Sequence, residues 1–153
     1  MILVNAIAWL VIHLSVSVIV SQFPSSLVMS FSKLYKLREW ERHGAIYERM
    51  KIKQWKNRLP EAKKWVNHGK GKTGIRLRNE ADYNEFVLAT NRSELSHWLQ
   101  ILPAPLFFLF NTQLAGWIIM VYAILFNLPF IMVQRYNRAR VEKIRIFFHQ
   151  TQE

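Results

Sequence analysis

The sequence predicts an all-α integral membrane protein, and three observations carry that prediction. Residues 2–20, ILVNAIAWLVIHLSVSVIV, hold no formally charged side chain. Residues 97–133 hold none either, apart from His97 at their start. Nearly all the charge lies between these stretches or in the last twenty positions, although 51% of the chain is hydrophobic and 20% charged. Such segregation is the pattern of membrane spans alternating with aqueous segments.

A hydrocarbon core about 30 Å thick takes roughly 20 helical residues to cross. Residues 2–20 are long enough, which makes 1–24 an N-terminal membrane segment of signal-anchor type. Residues 114–133 are long enough too. Residues 98–110 are shorter and carry Pro103 and Pro105, which disfavour a straight helix. They predict a kinked, tilted or re-entrant leg, and with Asn111, Thr112 and Gln113 as the turn, 97–133 reads as a membrane hairpin.

Charge then orients these segments. Residues 31–96 hold 16 of the 21 Lys and Arg and 8 of the 10 acids, and the tail 134–153 holds the other 5 basic residues with 2 acids. Both are basic, so both should face the cytoplasm. That requires an even number of crossings between them, hence three membrane segments with the N-terminus outside. The expected localisation is the cell membrane, multi-pass. A cleavable signal peptide over residues 1–28 is the competing reading. Its n-region lacks Lys and Arg, and cleavage would leave a strongly basic segment outside.

Between the membrane segments, 25–96 reads as a basic cytoplasmic or interfacial helical region. One helix is expected from about Ser32 to Leu59, with Leu37, Trp40, Gly44, Tyr47 and Trp55 near one side and Pro60 as its stop. Residues 66–80, VNHGKGKTGIRLRNE, hold three of the five glycines and predict a loop. GKGKT there is not a P-loop, because the glycine the motif needs is Val66 and no strand precedes it. Helix resumes over 82–98. The tail 134–153 leaves the membrane through a basic cluster and continues as an amphipathic helix.

The chain has no cysteine, which excludes a thiol nucleophile, disulfides and thiolate metal sites. A formal charge of +11 suits acidic lipid head groups or an anionic substrate better than nucleic acid in a chain of this kind. No metal site or cofactor is expected.

Four neighbours make the sharpest constellation: Asn91, Arg92, Glu94 and His97. At i and i+3 on a helix, Glu94 can reach the His97 ring, fix its tautomer and raise its basicity. His97 would then take a proton from an alcohol. Ser93 stands at i, i+4 to His97, but nothing around it resembles a nucleophile elbow. A second Glu-x-x-His copy, needed for a di-iron site, is absent. His43 and Glu41 are second-rank candidates; Glu48, five positions after His43, loosely echoes the H-x-x-x-x-D pattern of glycerolipid acyltransferases. In the cluster QRYNRAR, Arg135, Arg138 and Arg140 could hold the phosphates of a coenzyme A ester or a carrier prosthetic group, or the run could simply anchor the span. Asn127, inside the last span, is expected to hydrogen-bond a neighbouring helix.

Three blocks in order, WERHGAIYERMKIKQWKNRLPE, TNRSELSHWLQILPAPLF and NLPFIMVQRYNRARV, resemble the glycosyl-4,4'-diaponeurosporenoate acyltransferases of staphyloxanthin-type carotenoid biosynthesis. The resemblance implies esterification of a sugar hydroxyl on a glycosylated carotenoid by a fatty acyl group, the final step of pigment synthesis. It implies an acyl donor, acyl-CoA or acyl carrier protein, a membrane-embedded glycosylated acceptor, and surrounding lipid; association with other pigment-pathway enzymes stays open. Glu94 and His97 fall within the family's motif, as do Arg92, Gln134, Arg135, Asn137 and Arg138. Ser93 departs from an alanine-like position, so the mechanism does not centre on its hydroxyl. The expected roles are His97 as base, Glu94 as its orienter, Asn91 or Arg92 at the oxyanion, and Gln134, Arg135, Asn137 and Arg138 on substrate. The alternatives are acyl transfer to another glycolipid, or a non-catalytic membrane scaffold or lipid-binding subunit.

Overall fold

A computed structural model describes residues 1–56, 59 and 80–150, with 148–150 described as backbone only. The glycine-rich loop, its GKGKT run and Pro60 lie outside the described residues, which form helices and turns and no strand.

Helix α1, Ile2–Ser21, carries no Asp, Glu, Lys or Arg and buries only Trp9 and Val20. Ile12, His13 and Val16 are half-buried against the rest of the chain, while most other large side chains point outward, with Ile2 88%, Leu10 59% and Leu14 59% exposed. Helix α7, Gln113–Gln150, shows the same over its first half, Leu114 being 73% and Leu125 63% exposed. Apolar surface this extensive is stable only against lipid or another apolar partner. Both helices are long and apolar enough to cross a membrane. Helix α7 continues through Pro129 without ending, so the expected span and amphipathic tail are one rod.

Helix α6, Glu80–Ile101, brackets the expected 82–98 and lies antiparallel to α7. As the α6 partner falls from His97 through Glu94 and Tyr83 to Glu80, the α7 partner rises from Asn127 through Arg135 and Glu142 to Arg145. Pro103 and Pro105 do end the regular helix: the chain leaves α6 and turns through a 3-10 segment, Ala104–Leu109. Together α6 and this segment run the full length of α1. Arg92 meets the Ser21 carbonyl at one end, Gln100 meets Ser17 in the middle, and Asn111 exchanges amide hydrogen bonds of 2.8 and 3.1 Å with Asn5 at the other.

The basic stretch departs from expectation. After a short α2 (Ser25–Ser30), one helix over 32–59 is replaced by α3 (Ser32–Tyr35), a 3-10 turn Glu39–Gly44, α4 (Ala45–Arg49) and α5 (Ile52–Trp55). The breaks have a backbone cause. Arg42, His43 and Gly44 take left-handed φ of 47, 52 and 90°, and Lys51 takes 54°; successive left-handed residues cannot continue a right-handed helix. Trp40, expected on the packed side, is 62% exposed. The core is correspondingly tiered: Trp9, Ala104, Phe107 and Ala123 at one end, Val20, Val28, Tyr35 and Leu95 in the middle, and Tyr47, Ile52 and Tyr136 under the folded-back basic segment.

Candidate active site

The 3-10 turn delivers Glu41, α6 delivers Glu94, and α7 delivers Arg135 and Arg138, into one buried cluster. Both carboxylates are 0% exposed and both guanidinium residues 8%. Arg135 donates Nε to Glu94 at 2.8 Å, Nη1 to both Glu41 oxygens at 3.0 and 3.1 Å, and Nη2 to the Leu34 carbonyl at 2.7 Å. Arg138 pairs with the second Glu94 oxygen and donates to the Tyr35 carbonyl at 3.1 Å. Trp98 Nε1 reaches Glu94 at 3.2 Å, and the Tyr47 hydroxyl and Arg38 N–H complete Glu41. Two acids thus face two guanidinium groups, so the cluster is neutral as a whole, and charge-assisted hydrogen bonds to both oxygens of each carboxylate offset the cost of burying the charges.

Burial opposes the charged form of Glu41, yet the Arg38 N–H, the Tyr47 hydroxyl and Arg135 outweigh it and hold the carboxyl below its ordinary value. Burial, with the Glu94 charge beside it, pushes the Tyr35 hydroxyl up to about 12. Within this frame the Arg138 Nη1, Tyr35 hydroxyl and Asn91 Oδ1 are buried atoms with no hydrogen-bond partner among the described residues.

One helical turn along α6 stands His97. Its Nδ1 lies 2.9 Å from Asn127 Oδ1, and its ring stacks on Phe130 with centroids 4.6 Å apart and planes 14° apart. The orienting contact expected from Glu94 is therefore made by Asn127, because both oxygens of Glu94 are taken by Arg135, Arg138 and Trp98. A file of rings leads away from His97: Phe130 to Phe126 at 5.7 Å, Phe126 to His13 at 5.1 Å, His13 to Trp9 at 5.0 Å. Trp9 and His13 then line, with Phe107, Tyr122 and Phe126, an apolar groove of about 570 Å³ between α1 and α7.

Most of the other expected site residues have partners within the protein. Arg92 Nη1 caps the Ser21 carbonyl at 2.7 Å, the negative end of the α1 dipole. Asn91 is buried against the Met29 sulfur. An oxyanion role would take either from its present surroundings. Arg135, with three donor groups committed to protein, is not open to a phosphate without breaking the buried pairs. Gln134 is buried, and Asn137 accepts from Lys56 Nζ at 3.0 Å. His43 is exposed on the left-handed turn, while Glu48 pairs with Lys143 on α7. Glu41, ranked second in the sequence, is a member of the frame. Among the described residues no group of three His, Asp or Glu is placed to hold a metal ion.

The three sequence blocks therefore converge. Glu41 and Tyr47 come from the first, Glu94 and His97 from the second, Asn127, Arg135 and Arg138 from the third. Comparison with known proteins gives that convergence its meaning: the profile of the glycosyl-4,4'-diaponeurosporenoate acyltransferase family matches residues 32–145, spanning all three blocks. The chain belongs to this family. It is 32% identical over 147 residues to the enzyme of that name from Staphylococcus haemolyticus, covering 92% of this chain and 82% of the relative. To the Staphylococcus aureus N315 enzyme of the same name it is 26% identical over 137 residues, covering 89% and 82%. No solved structure matches it. Family membership makes the chain an acyltransferase.

Proposed function

We propose that this acyltransferase esterifies a sugar hydroxyl of a membrane-embedded glycosylated carotenoid with a fatty acyl group, ending a pigment pathway of the staphyloxanthin type. The names of its relatives supply the acceptor class. The observation that carries the chemistry is the place of His97: on a span-entering helix, one turn from a fully paired charge cluster, and joined by a file of rings to an apolar groove. Asn127, its partner, lies seven residues before Gln134 on α7, roughly 10 Å at 1.5 Å per residue, so the ring sits just below the basic boundary.

In this reading His97 accepts the sugar hydroxyl proton as that oxygen attacks the thioester carbonyl. The C–O ester bond forms, the C–S bond breaks, and the departing thiolate takes the proton from the imidazolium. The groove accommodates apolar chain. Glu41, Glu94, Arg135 and Arg138 act as the frame that sets α6 against α7. The donor, acyl-CoA or acyl carrier protein, is held through its phosphates by exposed cations of the basic segments, Arg42, Lys53 and Arg140 among them. The N-terminus is outside, and the basic segments are cytoplasmic.

Purified chain in liposomes, given either donor and the glycosylated carotenoid, should form the ester unaided, as read by mass spectrometry. Ester that appears only when a second protein is added would favour the scaffold reading.

A further inference from the structure

We propose that Asn127 is the positioning residue of the acyl-transfer site, holding the His97 ring in the tautomer whose lone pair is on Nε2. This rests on the reading of His97 as the proton acceptor, and it adds a residue and a protonation state to it.

The hydrogen bonds fix the assignment. Asn127 is 0% exposed, within the apolar half of α7. Its Nδ2 donates to the Ala123 carbonyl, one turn back on the same helix, at 2.9 Å. A carbonyl oxygen only accepts, so the amide nitrogen must face Ala123 and the amide oxygen must face His97. That oxygen also only accepts, so the group 2.9 Å away, His97 Nδ1, must bear the hydrogen. In a neutral imidazole the lone pair then resides on Nε2, the atom that can take a proton. The stack on Phe130 fixes the ring plane, and the amide fixes its rotation within that plane. Two contacts from one helix thus set both degrees of freedom of a side chain carried by another.

A purely structural amide would also bridge α6 to α7, since buried amides commonly join helices in membranes. The two roles differ in what they need. Bridging needs a polar contact of either sense, whereas positioning needs an acceptor at Nδ1. An amide supplies that acceptor with no added charge, which suits a depth where an unpaired carboxylate would be costly. The neighbouring carboxylate on α6, Glu94, is committed to Arg135 and Arg138.

The test uses the full-length chain in liposomes. ¹⁵N-imidazole spectra, with the His97 signals assigned by comparison with His97→Gln, should show Nδ1 protonated and Nε2 bare in the neutral wild-type ring. Asn127→Leu should lower kcat for ester formation about a hundredfold, the size of a positioning loss, with little change in KM for the acceptor. Asn127→Asp should restore most of the rate, with the acid limb of the pH–rate profile moved to higher pH, because a carboxylate at Nδ1 favours the imidazolium. Wild-type Nε2–H, or an Asn127→Leu enzyme with unchanged kcat and pH profile, would overturn the proposal. Should Asn127→Leu fail to fold, the wild-type spectrum and Asn127→Asp still decide it. Full activity in His97→Ala would remove the base reading by itself, whereas the wild-type spectrum decides the tautomer independently of that result.

Discussion

Glu41 shows how a residue's weight is set by what lies across from it. In the sequence it stands beside His43 as a second-rank candidate; in the fold it is a fully buried acid held by Arg135 from 94 positions away. Glu41→Gln would leave Arg135 partly unpaired in a dry setting, and breaking such a pair costs about 3–5 kcal/mol. The expected result is a marked drop in the thermal midpoint in detergent. The pH dependence has a definite sign. Because the folded carboxyl titrates below the ordinary 4.5, its stabilisation is present above that value and is lost as pH falls through the lower folded value. Acidification through that window should therefore destabilise wild type more than Glu41→Gln, as followed by unfolding curves. Periodicity puts Glu94 and His97 on one helix, where the structure has them, but spacing cannot say which opposing charge will claim a carboxylate. Two guanidinium groups on α7 win over an imidazole on the same helix, since two permanent positive charges, one on each carboxylate oxygen, suit a buried acid better.

At the scale of elements, the long helices were legible and the basic segment was not. An uncharged, largely apolar run of α1 length has few alternatives, and Pro103 and Pro105 announce a break wherever the chain packs. The left-handed turn at Arg42, His43 and Gly44 has no such local signal beyond one glycine. It exists because Glu41 must reach Arg135 while Gly44 seats against α7. A Cβ on Gly44 would come within 2.5 Å of the Ala139 Cβ, and its φ of 90° is strained for any L side chain. Gly44→Ala should thus cost about 1–3 kcal/mol through the backbone, with the clash in addition. Adding Ala139→Gly should relieve only the clash, so unfolding of the double variant should fall between wild type and Gly44→Ala. Equal stability of wild type and Gly44→Ala would contradict this explanation of the turn. Other joins, such as Tyr83 to Glu142 and Glu80 to Arg145, follow from the antiparallel register of α6 and α7, which depends on contacts between residues 30 or more positions apart and has no local signature.

For the whole molecule, the proposed reading places polar chemistry where two kinds of solvent meet. Two exposed apolar helices are long enough to cross a membrane, and the broken basic segment folds back over the opposite end of α7. Between them lies a compact frame in which every formal charge has a partner of opposite sign. Such a frame costs little net energy when complete and a good deal when broken, so it can hold a neighbouring imidazole in place without itself reacting. The proposed chemistry stands or falls on whether His97 removes the proton from the acceptor hydroxyl. Single-turnover ester formation by His97→Gln and wild type in the same liposomes, with saturating donor and acceptor, measures this directly. If His97 is the base, the variant's rate should be lower by about 10²–10⁴, the usual contribution of a positioned base, with the thermal midpoint little changed. A wild-type rate from His97→Gln would contradict that role.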